Sequence, residues 1–125
     1  MSRLLLDTHA LLWWLTDDSL LSAAAREAIA DPDNQPLVSA ASVWEIAIKR
    51  SLGKLTAPDH LPDDIAAEGF EWLPISADHA WRVRELPLHH RDPFDRLLVA
   101  QALGEGLPII TTDPSFAPYG VEVRW

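Results

Sequence analysis

The sequence contains no cysteine, which excludes a disulfide framework, a thiolate zinc site and a cysteine nucleophile. Long apolar runs are missing too: no stretch approaches the ~20 apolar residues that span a bilayer. The apolar N-terminal stretch is interrupted by Asp7 and His9 and is followed by no small-residue cleavage site, so a soluble, cytoplasmic chain without a signal peptide is expected. Basic residues are scarce, with 10 Lys and Arg against 19 Asp and Glu and a formal charge of −9. That balance argues against a nonspecific nucleic-acid binder, which neutralises phosphates with Lys and Arg. The objection weakens if several acids are gathered around a divalent cation, because the ion reverses the local sign. Seven of the 10 basic residues lie between positions 49 and 96, alongside nine acids, a hint of a basic rim. No Gly-, Ser- or Pro-rich linker, repeat or low-complexity segment divides the chain. With 125 residues and 48% hydrophobic content, one core and a single domain over residues 1–125 are expected.

What the sequence does have is RLLLDTHALLWWL from Arg3, a short apolar strand that stops at one carboxylate, Asp7, and turns at once into a helix over residues 8–16. An alanine-rich helix follows over 20–30 and ends at Asp31-Pro32. A buried strand is expected at 36–38, and Ser39-Ala40-Ala41-Ser42 then offers two serine N-caps for a helix over 42–52 with Gly53 as its stop. On that reading Glu45 lies in the first helical turn. Further elements are a modest helix at 63–68, a strand at 70–75 and a helix capped by Ser76 over 77–86. The best-marked helix runs over 93–105, with Asp92 as N-cap, Pro93 in the first position and Gly106 as stop. An apolar strand at 108–112 ends at Asp113-Pro114, and 120–124 alternates like an edge strand. Strands alternating with helices predict an α/β fold whose parallel sheet is covered on both faces, with the carboxyl ends of its strands on one edge.

Four acids then share one topological description. Asp7 and Asp113 end two of the most apolar strands, while Glu45 and Asp95 begin helices that leave the same sheet edge. Carboxylates gathered there suit a hard divalent cation, Mg²⁺ or Mn²⁺, which takes oxygen ligands and serves phosphodiester hydrolysis by activating water and polarising the phosphoryl group. Each acid also has an ordinary structural explanation: Asp7 as a helix cap, Glu45 paired with Lys49 four residues on, Asp95 complementing a helix dipole, Asp113 opening a turn. The functional reading rests on four acids in matching places.

The sequence resembles the PIN-domain ribonucleases, and within them the VapC-type toxins of bacterial toxin–antitoxin pairs, through LLLDTHALLWWL, SVWEIAIK, RDPFDRLLVAQA and IITTDPSF in that order. The resemblance implies a PIN-like three-layer α/β/α fold around a central parallel sheet of four to five short strands. It implies Asp7 and Asp95 as main metal ligands, completed by Glu45 and Asp113 directly or through water, with Thr8, Thr112 and Ser115 as supporting hydroxyls. It further implies an RNA substrate, a homodimer and a small VapB-type antitoxin partner. Asp92 stands three residues from Asp95 and competes with it for the ligand role; Asp95 is preferred because Asp92 serves as the cap. Lys49 and Arg96 are candidates for phosphate contact, with surface salt bridging as the alternative. Trp13, Trp14 and Trp44 suit either an interface or the core.

Three other readings stand beside this one. A metal-independent ribonuclease would use His89 and His90 as acid and base, although adjacent histidines project apart. A non-catalytic module would keep the fold and act through a partner, but none of the four acids is missing. A phosphatase or deoxyribonuclease would run the same metal chemistry on another substrate.

Overall fold

The computed structural model describes residues 2–125. Five strands, β1 (Ser2–Leu6), β2 (Asn34–Ser39), β3 (Glu71–Leu73), β4 (Ile109–Ile110) and β5 (Val123–Arg124), form one sheet in the order β3-β2-β1-β4-β5. Every neighbouring pair is parallel. β1 is apolar and buried over Leu4–Leu6 because successive side chains there feed opposite faces and both faces are covered. Leu4 and Leu6, with Val38 and Ile110, pack under α1 (Thr8–Leu15), α2 (Ala23–Ala30), α3 (Ala40–Ser51) and α4 (Leu61–Ala67). Leu5, with Leu37 and Ile109, which flank it in register, packs against Leu98, Val99 and Ala102 of α6 (Pro93–Glu105). The remaining helix, α5 (Ala77–Arg82), runs alongside α6 and is followed by a 3₁₀ turn at Val83–Glu85. This is the expected three-layer α/β/α arrangement with a parallel sheet.

The order of the strands decides where a site forms. The chain steps outward from β1 to β2 and β3, then returns to place β4 on the other side of β1. Open parallel sheets bind their ligands in the crevice at the strand tips where such a reversal occurs. Here that crevice lies between Asp7, after β1, and residues 111–113, after β4.

Local chemistry sets most boundaries. Asp92 accepts hydrogen bonds from the backbone N–H groups of Phe94 and Asp95 at 2.8 and 3.0 Å, and Gly106 closes α6 at φ 67°, so that helix has the predicted bounds. Other bounds shift: β2 is longer than expected, α4 begins two residues earlier, at Leu61, β3 and β5 are shorter, and four further shifts bear on the site or have a local cause. α2 starts at Ala23, because Ser22 is its cap. α3 starts at Ala40, because Ser39 rather than Ser42 caps it, and Glu45 therefore falls in the second turn, not the first. α5 gives way to the 3₁₀ turn at Val83, where the Arg96 guanidinium takes the carbonyls of Val83 and Leu86 at 3.3 Å. β4 shrinks to two residues, so Asp113 lies three residues beyond the strand rather than at its end.

The three tryptophans part company. Trp13 is half-buried in edge contact with Trp125, and Trp14 packs on Phe70 while its indole N–H donates to Glu68. Trp44 is 56% exposed. Among the described residues no helix is long and apolar enough to cross a membrane.

Candidate active site

Asp7 is delivered by the β1–α1 junction and is only 5% exposed. Its Oδ1 accepts the backbone N–H of Ala10 at 2.8 Å, the N-cap bond. Its Oδ2 accepts the hydroxyl of Thr111 at 2.5 Å, and the same hydroxyl oxygen accepts the backbone N–H of Asp113 at 3.0 Å. Thr111 thus couples the tips of β1 and β4 through hydrogen bonds. Burial raises the Asp7 pKa, against the lowering effect of the Thr111 and Ala10 bonds, and the Asp113 charge adds to the rise. Each Asp7 oxygen spends one lone pair on its donor and keeps the other for a further partner.

Glu45 is 3% exposed, and both of its oxygens are engaged. Thr8 Oγ1 donates to Oε1 at 2.6 Å and also hydrogen-bonds with Ser42 Oγ at 3.1 Å; Lys49 Nζ lies 2.5 Å from Oε2. The Glu45–Lys49 pair therefore exists, with Glu45 buried and Lys49 partly exposed. The Glu45 hydrogen bond raises the Lys49 pKa and outweighs burial, which lowers it; Asp92 and Asp95 raise it further. The Lys49 ammonium is thus tied into the acid cluster and is already partnered.

The outer part of the site joins residues from three segments. His90 Nε2 lies 2.8 Å from Asp95 Oδ2, and one donor atom from each of His90, Asp95 and Asp113 falls within 4.8 Å of the others. Burial raises the Asp95 carboxyl to about 6, opposed by its bond to His90 and assisted by the charges of Asp92 and Glu45. Asp113 moves the other way. Burial would raise it, but the Ser115 hydroxyl and backbone N–H both donate to its Oδ1, and His90 and His9 add to the lowering. The crevice therefore holds two carboxyls pushed apart, one poised near neutrality and one firmly ionised.

These positions sort the predicted residues. Asp95 and Asp113 meet directly with His90, whereas Asp7 and Glu45 stand deeper, each fixed by a threonine hydroxyl. Thr8 donates to Glu45 and Ser115 to Asp113. Thr112 does not: it is exposed, and the hydroxyl on Asp7 belongs to Thr111, one residue earlier and on the other face. Asp92 is occupied as the α6 cap. Arg96 forms no ion pair with an acid among the described residues. Its guanidinium donates to the carbonyls of Val83, Leu86, Pro87 and His90 and to the Tyr119 hydroxyl, all at 3.0–3.3 Å. Tyr119 in turn accepts the His90 backbone N–H at 2.8 Å. Arg96 is therefore a clasp that holds the loop carrying His90. His89 sets its ring edge-on to Tyr119 at 5.0 Å, whereas His90 meets Asp95 through Nε2, so the two histidines have different partners. His90 and Thr111 are the site residues that sequence reasoning did not single out for this role. The only signals for them were a histidine five positions before Asp95 and a second hydroxyl at the end of an apolar strand.

The donor set fits a hard divalent cation. Carboxylate oxygens predominate, the acids lie close enough to raise one another's pKa values, and a cation would relieve that repulsion.

Residues 4–121 match the family profile described as the PIN domain. Ribonuclease VapC22 of Mycobacterium tuberculosis is 29% identical over 124 residues, an alignment covering 90% of this chain and 88% of that protein. Ribonuclease VapC16 of the same organism is 44% identical over 59 residues, 44% of this chain and 40% of the relative. Among solved structures, VapBC2 from Rickettsia felis bound to a promoter DNA fragment superposes with a TM-score of 0.72 at 13% identity, covering 98% of this chain and 97% of that one. VapBC-5 from Mycobacterium tuberculosis gives 0.59 at 20% identity and covers 98% of each. At such identities the two structures speak for the fold.

Proposed function

The chain belongs to the PIN domain family, and from that premise we propose that it is a metal-dependent endoribonuclease, the toxin of a VapBC-type pair. Its substrate is RNA, its cofactor Mg²⁺ or Mn²⁺, and its partner a small VapB-type antitoxin that covers the site of a homodimeric toxin, in keeping with the ribonuclease relatives and the VapBC complexes of like fold. One observation carries the reading: donor atoms of His90, Asp95 and Asp113 lie within 4.8 Å of one another at the sheet edge where the strand order reverses, with Asp7 joined to Asp113 through Thr111 and Glu45 acting on Asp95 through its charge.

In this reading Asp7 and Asp95 are the main ligands, with Asp113 and Glu45 completing the charge. A bound ion supplies the positive charge that polarises the phosphoryl group and eases deprotonation of the attacking water. The chain does the positioning. Ala10 N–H and Thr111 hold the Asp7 carboxylate in one orientation, Thr8 and Lys49 do so for Glu45, and Ser115 keeps Asp113 ionised. His90, held by Tyr119 and Arg96, steadies Asp95 Oδ2 and is the nearest partner for a proton leaving it. Such pre-oriented ligands need no rearrangement when charge develops on the phosphoryl oxygens.

The test is cleavage of a mixed RNA pool with Mg²⁺ or Mn²⁺, with chelator, and by Asp7→Asn. Cleavage should require the ion, leave 5′-phosphate ends, and fall near to background in the variant. Cleavage that survives chelation, or that leaves cyclic phosphate ends, would return the chemistry to His89 and His90.

A further inference from the structure

Two serines compete to start the helix that carries Glu45. Ser39 caps α3, its hydroxyl oxygen accepting the Ala41 N–H at 3.0 Å. Ser42-Val43-Trp44-Glu45 is nevertheless a capping-box sequence, S-x-x-E, in which Ser42 would accept the Glu45 N–H and the Glu45 carboxylate would turn back onto the Ser42 N–H. The two starts place Glu45 differently. In the helix capped by Ser39 it takes the Thr8 hydroxyl and the Lys49 ammonium, and its charge bears on Asp95. In the capping box at least one of its oxygens would leave those partners for its own helix end.

The group that decides between the caps lies on another helix. Gln101 of α6, six residues beyond Asp95, is fully buried, and its Oε1 accepts the Ser39 hydroxyl proton. Its Nε2 faces the Pro74 carbonyl at 3.3 Å and His79 Nδ1 at 3.4 Å. Both are acceptors: a carbonyl donates nothing, and Nδ1 already accepts the Ser76 N–H at 3.0 Å, which leaves the imidazole proton on Nε2, 2.8 Å from Glu105. The Gln101 amide is therefore held in one orientation, with its oxygen towards Ser39. Ser39 ends β2 and pairs in register with Leu73 of β3, which Pro74 follows. One amide thus ties α6, the helix of Asp95, to the tips of both strands and to the start of α3.

We propose that Gln101 is a positioning residue: by holding the Ser39 hydroxyl it selects the cap at Ser39 over the capping box at Ser42, and so keeps Glu45 turned to Thr8 and Lys49. The consequence for cleavage rests on the ribonuclease reading above; the choice of cap does not. The test is residue-resolved amide hydrogen exchange by NMR on the metal-free native chain and on Gln101→Met, which keeps the length of the side chain. In a helix starting at Ala40, the N–H groups of Val43 and Trp44 bond to carbonyls four residues back; in one capped by Ser42 they are among the unpartnered first N–H groups. Their exchange should quicken about five- to hundred-fold in Gln101→Met, the range for a buried polar group stripped of its partner, while amides of β1 and the middle of α6 change far less. Adding Ser42→Ala, which removes the competing cap, should restore most of the protection. Ser42→Ala in the otherwise native chain should slow exchange at Val43 and Trp44, a measurement that stands even where Gln101→Met does not fold. In cleavage, Gln101→Met should lower kcat with little change in KM for RNA, and Ser42→Ala should recover it, a rescue that mere loss of packing does not allow. Unchanged exchange at Val43 and Trp44, equal acceleration in β1 and α6, or no effect of Ser42→Ala in either background overturns the proposal and leaves Gln101 a plain packing contact. A native chain that cleaves no RNA counts against the ribonuclease reading alone, because the exchange pattern decides the cap without it.

Discussion

Replacing Asp95 by Asn should abolish cleavage while making the metal-free protein more stable. A carboxyl held at about 6 instead of 3.8 is disfavoured as the carboxylate by about 3 kcal/mol at neutral pH, and its partial exposure trims this to roughly 1–2 kcal/mol. Asn is close in shape to the neutral acid and keeps an oxygen for His90, so it removes the penalty without opening a gap. For a chain of this size the gain corresponds to a rise in Tm of roughly 3–10 °C. Because the folded-state pKa is raised, the folded chain binds more protons than the unfolded one between about pH 4 and 6, and this contribution destabilises progressively as pH rises through that window. The stability gap between variant and native protein should therefore be full above about pH 7 and close by pH 4. Melting curves in chelator at several pH values measure it directly. Adding Mg²⁺ or Mn²⁺ should reverse the order, because binding stabilises the native protein by mass action and Asn offers the ion no charge. A variant less stable than native in chelator at neutral pH would refute the argument and make Asp95 a structural hydrogen-bond partner instead of a charge held against repulsion.

How much of this was legible in the sequence depended on how local the physics was. Asp7 and both ends of α6 were legible because caps and stops act within three or four residues: Asp92, Pro93 and Gly106 announce the helix by themselves. The layer order followed from apolar strands alternating with helices. The start of α3 was not settled, since Ser39 and Ser42 are equally good caps on paper. Ser39 prevails in a setting where its hydroxyl also meets Gln101, 62 residues away, and that choice moves Glu45 into the second turn and under the surface. Thr111 was missed for a related reason. Side chains alternate about a strand, so a one-residue uncertainty in where β4 ends exchanges the inward hydroxyl for the outward one. Arg96 looked like a phosphate contact because it neighbours Asp95 in sequence, but α6 turns it towards carbonyls of residues 83–90 that no short-range pattern foretells. Tertiary hydrogen bonding of loops is the part of the site that spacing does not encode.

Two further substitutions test those tertiary bonds. Thr111→Val removes the donor to Asp7 and the acceptor for the Asp113 N–H, and hydrogen bonds to charged groups are worth about 1.5–3 kcal/mol. Cleavage should fall roughly 10- to 100-fold, while Thr112→Val, at an exposed position, should change stability by no more than about 0.5 kcal/mol; equal effects of the two in cleavage and unfolding assays would remove Thr111 from the site. The second case separates a clasp from a phosphate contact at Arg96. Its planar fork reaches acceptors on both terminal nitrogens, and Lys, a single point of charge on a flexible stem, cannot span them. Arg96→Ala should destabilise by roughly 2–4 kcal/mol, and Arg96→Lys should recover less than half of that. In both variants the backbone amides of residues 83–90, with the His90 N–H foremost, should exchange faster with solvent, while β1 amides keep their protection. Cleavage should then decline because His90 loses its hold over Asp95. A phosphate contact would behave differently: Lys would substitute well, amide exchange would not change, and Arg96→Ala would lower the dependence of RNA affinity on salt by about one unit of slope. That second pattern would unseat the clasp, because it requires a guanidinium free to leave the carbonyls that now surround it.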